Sequence, residues 1–147
     1  MSENKALLDA IMRAIELEKE TFDFYTRAEQ KTFNPEGKKV FRWLARNEES
    51  HYMRLNDLYK SLHESGRWVF YGGSTIDLEP ADESIRVTFD TDDRKALQIA
   101  LDIEYKSRDY YEKLLAETTD TEGRLMLEAL KAEEEDHISV ISARLSG

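Results

Sequence analysis

Hydrophobic residues recur at intervals of three and four along most of this chain, which is the spacing of amphipathic helices. Four stripes of this kind are present, at about 7–28, 40–62, 97–115 and 127–145. Each stripe is long enough for about five or six turns at 3.6 residues per turn. The pattern therefore predicts an all-α chain of four long helices.

The starts of two predicted helices carry the same signal. Asn34 precedes the second stripe and Asp120 precedes the fourth, and a glutamate follows each of them two residues later. Asparagine and aspartate are preferred helix caps, and a carboxylate in the first turn interacts favourably with the helix dipole. The joints at 32–35 and 117–121 are short, so helices 1 and 2, and helices 3 and 4, are predicted to be antiparallel neighbours.

The segment at about 66–90 separates the two halves and lacks helical periodicity. It contains paired glycines, a proline, and two extended-looking runs at 68–71 and 85–89. A helix of about 25 residues is near 38 Å long, and about a dozen extended residues can cover that distance. We therefore predict one domain over 1–147, in which a long crossover traverses the bundle and gives an up-down-down-up order of helices.

Residues with metal-binding chemistry interrupt the apolar stripes near their middles. Helix 1 carries a glutamate and helix 2 carries Glu-x-x-His, and the same pattern returns 86 residues later in helices 3 and 4. The paired positions are Glu18 and Glu104, Glu48 and Glu134, and His51 and His137. Tyr25 and Tyr111 keep the same offset, as do Gly37 and Gly123. A repeat of ligands, tyrosines and glycines together is not a coincidence of single residues.

The buried positions of these groups predict a metal site. An ionised carboxylate in a dry core costs several kcal/mol, and four would consume most of a domain's net stability of roughly 5–15 kcal/mol. Two divalent cations would neutralise all four carboxylates. A Glu and a His three residues apart share one helix face, so both can point at one ion. Oxygen-rich sites with two imidazoles suit iron or manganese, with zinc as an alternative.

Composition narrows the class of protein. The 147 residues contain no cysteine, which removes thiolate metal sites and iron–sulfur clusters from this chain. The net charge of −10 argues against nucleic-acid binding. No apolar run approaches the roughly 20 residues that span a bilayer, and the first residues are not signal-like. We expect a cytoplasmic protein that binds neither nucleic acid nor membrane.

The segments around the ligands resemble the rubrerythrin-like branch of the ferritin-like superfamily, in particular its stand-alone diiron domains. Residues 14–25 are similar to the first-helix motif of that family, 41–51 to the second and 127–137 to the fourth. The resemblance implies a ferritin-like four-helix bundle that holds two iron ions. It implies terminal ligands Glu18 and Glu104, bridging ligands Glu48 and Glu134, and one metal-binding imidazole each from His51 and His137.

The chain departs from the family pattern in two places. Rubrerythrins usually end in a cysteine-ligated iron domain that delivers electrons, and this chain has no cysteine, so turnover needs an external electron donor. The family also tends to carry a further carboxylate one turn beyond the third-helix glutamate. Ser107 occupies that position and Thr21 matches it in the first half, which weakens the case for efficient peroxidase chemistry.

Three functions are compatible with such a site. The chain is predicted to be an oxidoreductase that reduces peroxide or dioxygen with electrons from an external donor protein. The alternatives are an iron-binding or buffering protein, and a bundle that metal merely staples together. The internal repeat favours the first, because one chain completes the two-metal site. We also predict a homodimer. Tyr25 and Tyr111 are predicted to hydrogen-bond ligand carboxylates or to fill the core, rather than to pass electrons. Glu49 and Glu135 are predicted to face away from the site.

Overall fold

Four long α-helices account for almost all of the residues that the structure describes. A computed structural model describes residues 2–67 and 91–146, with side chains for 5–67 and 93–146. The helices are α1 Ser2–Lys31, α2 Pro35–Ser65, α3 Thr91–Glu117 and α4 Thr121–Ser146. The described part of the chain contains no strand, and none of its helices is long and apolar enough to cross a membrane. The prediction of an all-α bundle is confirmed.

The helix boundaries follow the predicted signals. The side chain of Asn34 caps α2 by accepting hydrogen bonds from the backbone N–H groups of Glu36 and Gly37. Asp120 Oδ2 accepts one from the backbone of Gly123 at 2.8 Å and caps α4 in the same way. Gly66 caps the end of α2, and its φ of 71° lies in the left-handed region that glycine adopts without strain.

Contacts between α1 and α3 fix the direction of the helices. The Tyr110 hydroxyl near the end of α3 donates to the Ala10 carbonyl early in α1, and Thr32 just after α1 contacts Asp93 at the start of α3. Helices α1 and α3 are therefore antiparallel. Since the short joint makes α2 antiparallel to α1, α2 and α3 run in the same direction, which is the predicted up-down-down-up order. The predicted path of the crossover and its extended runs lie outside the described residues, and the one-domain organisation stays a prediction.

The bundle interior contains two apolar clusters separated by a polar layer. The first cluster contains Ile11, Ala14, Ile15, Leu55, Leu58, Leu62, Tyr111, Leu114, Met126, Leu127 and Leu130. The second contains Tyr25, Ala28, Val40, Phe41, Leu44, Ala45, Leu97, Ala100 and Ile141. Burial of these side chains stabilises the bundle through the hydrophobic effect. It also places the polar layer between them in surroundings from which bulk water is excluded.

Candidate metal centre

The six predicted ligands meet in the polar layer, and each is at most 1% exposed. They form two overlapping groups, one of Glu18, Glu48, His51 and Glu134 and one of Glu48, Glu104, Glu134 and His137. In each group the candidate ligand atoms all lie within 4.8 Å of one another. Glu48 and Glu134 belong to both groups, which is the placement that bridging carboxylates need. The assignment of the six as ligands stays a prediction.

Both imidazoles face the carboxylates through Nδ1. His51 Nδ1 lies 2.9 Å from Glu134 Oε1, and His137 Nδ1 lies 2.9 Å from Glu48 Oε1. Each histidine therefore reaches toward the glutamate of the other Glu-x-x-His helix. The two rings are nearly parallel, with centroids 5.8 Å apart and an interplanar angle of 8°. Because Nδ1 faces the cluster in both rings, a metal ion there would be bound by Nδ1, and Nε2 would then carry the ring hydrogen.

The polar atoms of the cluster are not satisfied by the protein. Six of the eight carboxylate oxygens form no hydrogen bond within the described residues, although all are buried. Two of these six, Glu48 Oε1 and Glu134 Oε1, lie 2.9 Å from a histidine Nδ1 but without hydrogen-bond geometry. Leaving a buried polar atom unpaired costs about 1–3 kcal/mol, and more when it is charged. Two divalent cations would take up these lone pairs and neutralise the four carboxylates. The oxygen and imidazole donors present therefore fit a binuclear centre of iron or manganese.

Burial and the charges of neighbouring groups shift the pKa values of several of these residues. Burial, together with the charges of neighbouring glutamates, raises the pKa of Glu48 and of Glu134 well above the usual range of a carboxyl group. Burial has the same tendency at Glu18, but the His51 charge and hydrogen bonds outweigh it and lower the pKa to about 2. Burial opposes the charged form of His51, yet Glu18, Glu133 and Glu134 raise its pKa well above 6.5. Metal binding at this cluster would therefore displace protons from Glu48, Glu134 and His51.

The two tyrosines hold ligand carboxylates across the bundle. The Tyr25 hydroxyl donates to Glu104 Oε1 at 2.6 Å, and the Tyr111 hydroxyl donates to Glu18 Oε1 at 2.5 Å. Each tyrosine thus holds the glutamate of the opposite half of the repeat. Burial and the charge of the accepting glutamate raise the pKa of both phenols well above 10, so both remain donors. Both rings also belong to the apolar clusters, so the tyrosines fill the core and hydrogen-bond a carboxylate at the same time.

Replacing Tyr111 by phenylalanine tests this orienting role. Tyr111→Phe keeps the ring but removes the donor to Glu18, and groups that orient a ligand typically contribute 10–100-fold to metal affinity. We expect metal binding to weaken by about tenfold or more, measured by competition with a chelator. Tyr110→Phe is the matched control, because Tyr110 donates to the Ala10 carbonyl outside the cluster. Equal affinities of the two variants would show that the Tyr111 hydroxyl does not support a ligand.

Three residues beside the histidines were missed by the sequence analysis. Arg54 is 2% exposed and donates from Nη2 to Glu133 Oε2 at 2.7 Å. Glu133 Oε1 lies 3.5 Å from His51 Nε2, whereas the Trp43 ring meets the His137 ring edge to face, with centroids 5.4 Å apart. One signal was available, since Arg54 follows His51 by three residues on the same helix face, and a buried cation needs a partner. Glu133 could not be singled out from the sequence, because it is one of three consecutive glutamates.

The fold and the cluster together define a ferritin-like four-helix bundle with a buried set of glutamates and histidines. The sequence profile of the rubrerythrin family matches residues 9–144, and the chain belongs to that family. A hypothetical protein from Pyrococcus furiosus has a similar structure, with a TM-score of 0.75 over 95% of this chain and 88% of that chain. At 22% identity this likeness shows the fold alone. None of the curated proteins matches. The family and the cluster indicate a binuclear metal site.

Proposed function

We propose that this protein binds two iron or manganese ions in the cluster and reduces peroxide or dioxygen with electrons from an external donor protein. The observation that carries the proposal is the sharing of Glu48 and Glu134 between the two ligand groups. Shared carboxylates hold two ions close together in one site, where they can act on the same oxidant. Reduction of one hydrogen peroxide to two waters consumes two electrons and two protons, and a pair of ferrous ions held by these residues would supply the two electrons.

We assign the ligands by their place in the two groups. Glu18 and Glu104 each occur in one group and are proposed as terminal ligands. Glu48 and Glu134 occur in both and are proposed as bridges. The histidines are proposed to bind one ion each through Nδ1. Tyr25 and Tyr111 hold the terminal carboxylates and keep their phenolic protons, and the flanking apolar clusters exclude bulk water from the site.

The electron donor is proposed to be a separate protein, because the absence of cysteine means that these 147 residues cannot supply a thiolate-bound iron centre. The donor must therefore present its redox group from outside them. The predicted homodimer and the cytoplasmic location are proposals as well. Light scattering on the purified protein tests the first of these, and fractionation of cells that express it tests the second.

An anaerobic loading experiment tests the oxidoreductase function. Metal-free protein is loaded with two ferrous ions per chain and then mixed with hydrogen peroxide. We expect rapid oxidation, seen as new near-ultraviolet absorption, with one peroxide consumed per pair of ferrous ions. A chemical reductant should then restore the starting spectrum. Protein that holds two ferrous ions but is inert to both peroxide and dioxygen would exclude the proposed turnover.

A metal-buffering or metal-stapled protein is the second candidate, and one observation favours it. The two positions one turn beyond the terminal glutamates carry buried hydroxyl groups, Thr21 and Ser107. The Thr21 hydroxyl donates to the Leu17 carbonyl of its own helix, so it is committed to the backbone. A further carboxylate of the kind the family tends to carry is therefore missing from both. Under this candidate, metal raises the melting temperature without any redox change.

A further inference from the structure

We infer that the two metal positions are unequal, and that Glu133, anchored by Arg54, makes the position beside His51 the tighter one. This inference rests on the proposed metal binding and assigns Glu133 as a positioning residue for one of the two ions. It concerns the surroundings of the ligands, where the internal repeat no longer holds.

The 86-residue repeat includes the six ligands but not the residues that surround the two histidines. All six ligands and both tyrosines recur at an offset of 86 residues. The residues that surround the two histidines do not. At the same offset, Glu133 corresponds to Asn47, Arg54 to Val140 and Trp43 to Ala129. The two imidazoles therefore offer the same ligand atom but differ in what lies behind the ring.

A carboxylate lies behind His51. Glu133 Oε1 is 3.5 Å from His51 Nε2, which is within ion-pair distance although longer than an ordinary hydrogen bond. The other oxygen of Glu133 accepts from Arg54 Nη2 at 2.7 Å, and Arg54 is 2% exposed, so the carboxylate is held in place from within the bundle. A carboxylate that faces the outer nitrogen of a metal-binding imidazole orients the ring and makes it a stronger ligand.

An aromatic ring lies behind His137 instead. His137 Nε2, like His51 Nε2, has no hydrogen-bond partner among the residues that the structure describes, but the carboxylates within ion-pair distance of His137 all face its Nδ1. Asn47, at the position equivalent to Glu133, donates its side-chain amide to the Trp43 carbonyl of its own helix at 2.8 Å. The Trp43 ring packs edge to face against the imidazole, with an interplanar angle of 71°. Packing holds this ring, and no carboxylate of residues 5–67 or 93–146 faces its outer nitrogen to strengthen it as a ligand.

The difference predicts an order of loading. The first ion enters the position of Glu18 and His51, and the second enters the position of Glu104 and His137. The loss of an orienting carboxylate typically lowers metal affinity 10–100-fold. Two steps in a titration would not establish the order, however, because charge repulsion between two ions separates the steps even in a symmetric site. The two positions must therefore be measured separately.

Half-site variants make that measurement with Co²⁺, whose visible spectrum reports its ligands. His137→Ala leaves the His51 position intact, and His51→Ala leaves the His137 position intact. We expect the His137→Ala protein to bind its Co²⁺ roughly 10–100-fold more tightly than the His51→Ala protein. Adding Glu133→Gln, which keeps the side chain's size, should weaken binding about tenfold or more and alter the Co²⁺ spectrum in the His137→Ala background only.

Matched controls separate this inference from the function on which it rests. Glu135→Gln changes an exposed glutamate on the same helix and should leave both affinities unchanged. Circular dichroism of each variant checks that the helices are retained. Equal affinities of the two half-sites, or an equal effect of Glu133→Gln in both backgrounds, would overturn the inference and leave the binuclear site standing. Failure of the unaltered protein to bind Co²⁺ or ferrous ions would overturn both.

Discussion

Glu134→Ala is expected to abolish binding of the ion pair and, with it, the oxidation of ferrous protein by peroxide. Glu134 is fully buried and belongs to both ligand groups, so its loss removes donor atoms from both ions at once. Three carboxylates would also leave two divalent cations with an uncompensated positive charge in a dry core, which costs several kcal/mol. We expect no more than one metal ion per chain by elemental analysis. Glu48→Ala should behave in the same way, because Glu48 holds the equivalent position.

The variant should lose metal without losing its fold. In the absence of metal, Glu134 is a destabilising residue, since burial and the charges of Glu104 and Glu18 raise its pKa. Removing it relieves that repulsion and offsets part of the cost of the cavity that the shorter side chain leaves. Metal-free Glu134→Ala should therefore melt close to the metal-free parent. Glu135→Ala, at the exposed next position, is the control and should bind two ions. Two ions retained by Glu134→Ala would contradict its bridging role.

Metal removal should lower the melting temperature by a large margin. An ion that binds only the folded state stabilises it by about 4 kcal/mol when free metal is present at 1,000 times its dissociation constant. For a chain of this size each kcal/mol corresponds to about 2–4 °C, so chelation should lower the melting temperature by roughly 8–16 °C. Calorimetry with and without a chelator measures the shift. An unchanged melting temperature would show that no ion stabilises the fold.

The size of this shift should depend on pH in a defined direction. The raised pKa values of Glu48 and Glu134 mean that, above about pH 4.5, the unfolded metal-free chain releases protons that the folded chain keeps. Stability then falls as pH rises. His51 acts in the same direction, because its raised pKa contributes stability below about 6.5 that is lost as pH rises through the folded value. Glu18 has a lowered pKa of about 2, so its contribution to the stability of the fold is present above pH 4.5 and is lost only as the pH falls from 4.5 toward about 2.

The melting temperature of the metal-free protein should therefore fall as the pH is raised from about 5 to about 8. The melting temperature of the metal-loaded protein should not fall in this way, because metal binding has already displaced those protons. Metal affinity also increases with pH, since the competing protons are then easier to remove. The gap between the two melting curves should widen with pH. A metal-free melting temperature that rises across this interval would show that Glu48, Glu134 and His51 are not proton-bound in the folded chain.

Much of the fold is already determined by the sequence. Apolar residues that recur three and four positions apart lie on one face only if the chain is helical. Asn34 and Asp120 accept hydrogen bonds from backbone N–H groups in the first turns of α2 and α4, which would otherwise have no partner within the helix. The sequence indicates the candidate ligands as well, because they are charged residues at apolar positions. A glutamate such as Glu18 on an apolar stripe must be neutralised, and its return at Glu104 shows that the position is not accidental.

The tertiary structure decided which groups face each other between helices. The sequence repeats Tyr25 and Tyr111 but cannot show that each donates to the glutamate of the other half, because that depends on how the helices are rotated against one another. The run at 133–135 is divided in the same way. Helical periodicity already predicts that Glu134 faces the core and that Glu135 faces away from it. That Glu133 lies beside His51 and Arg54 depends on how α4 is rotated against α2, which only the tertiary structure shows.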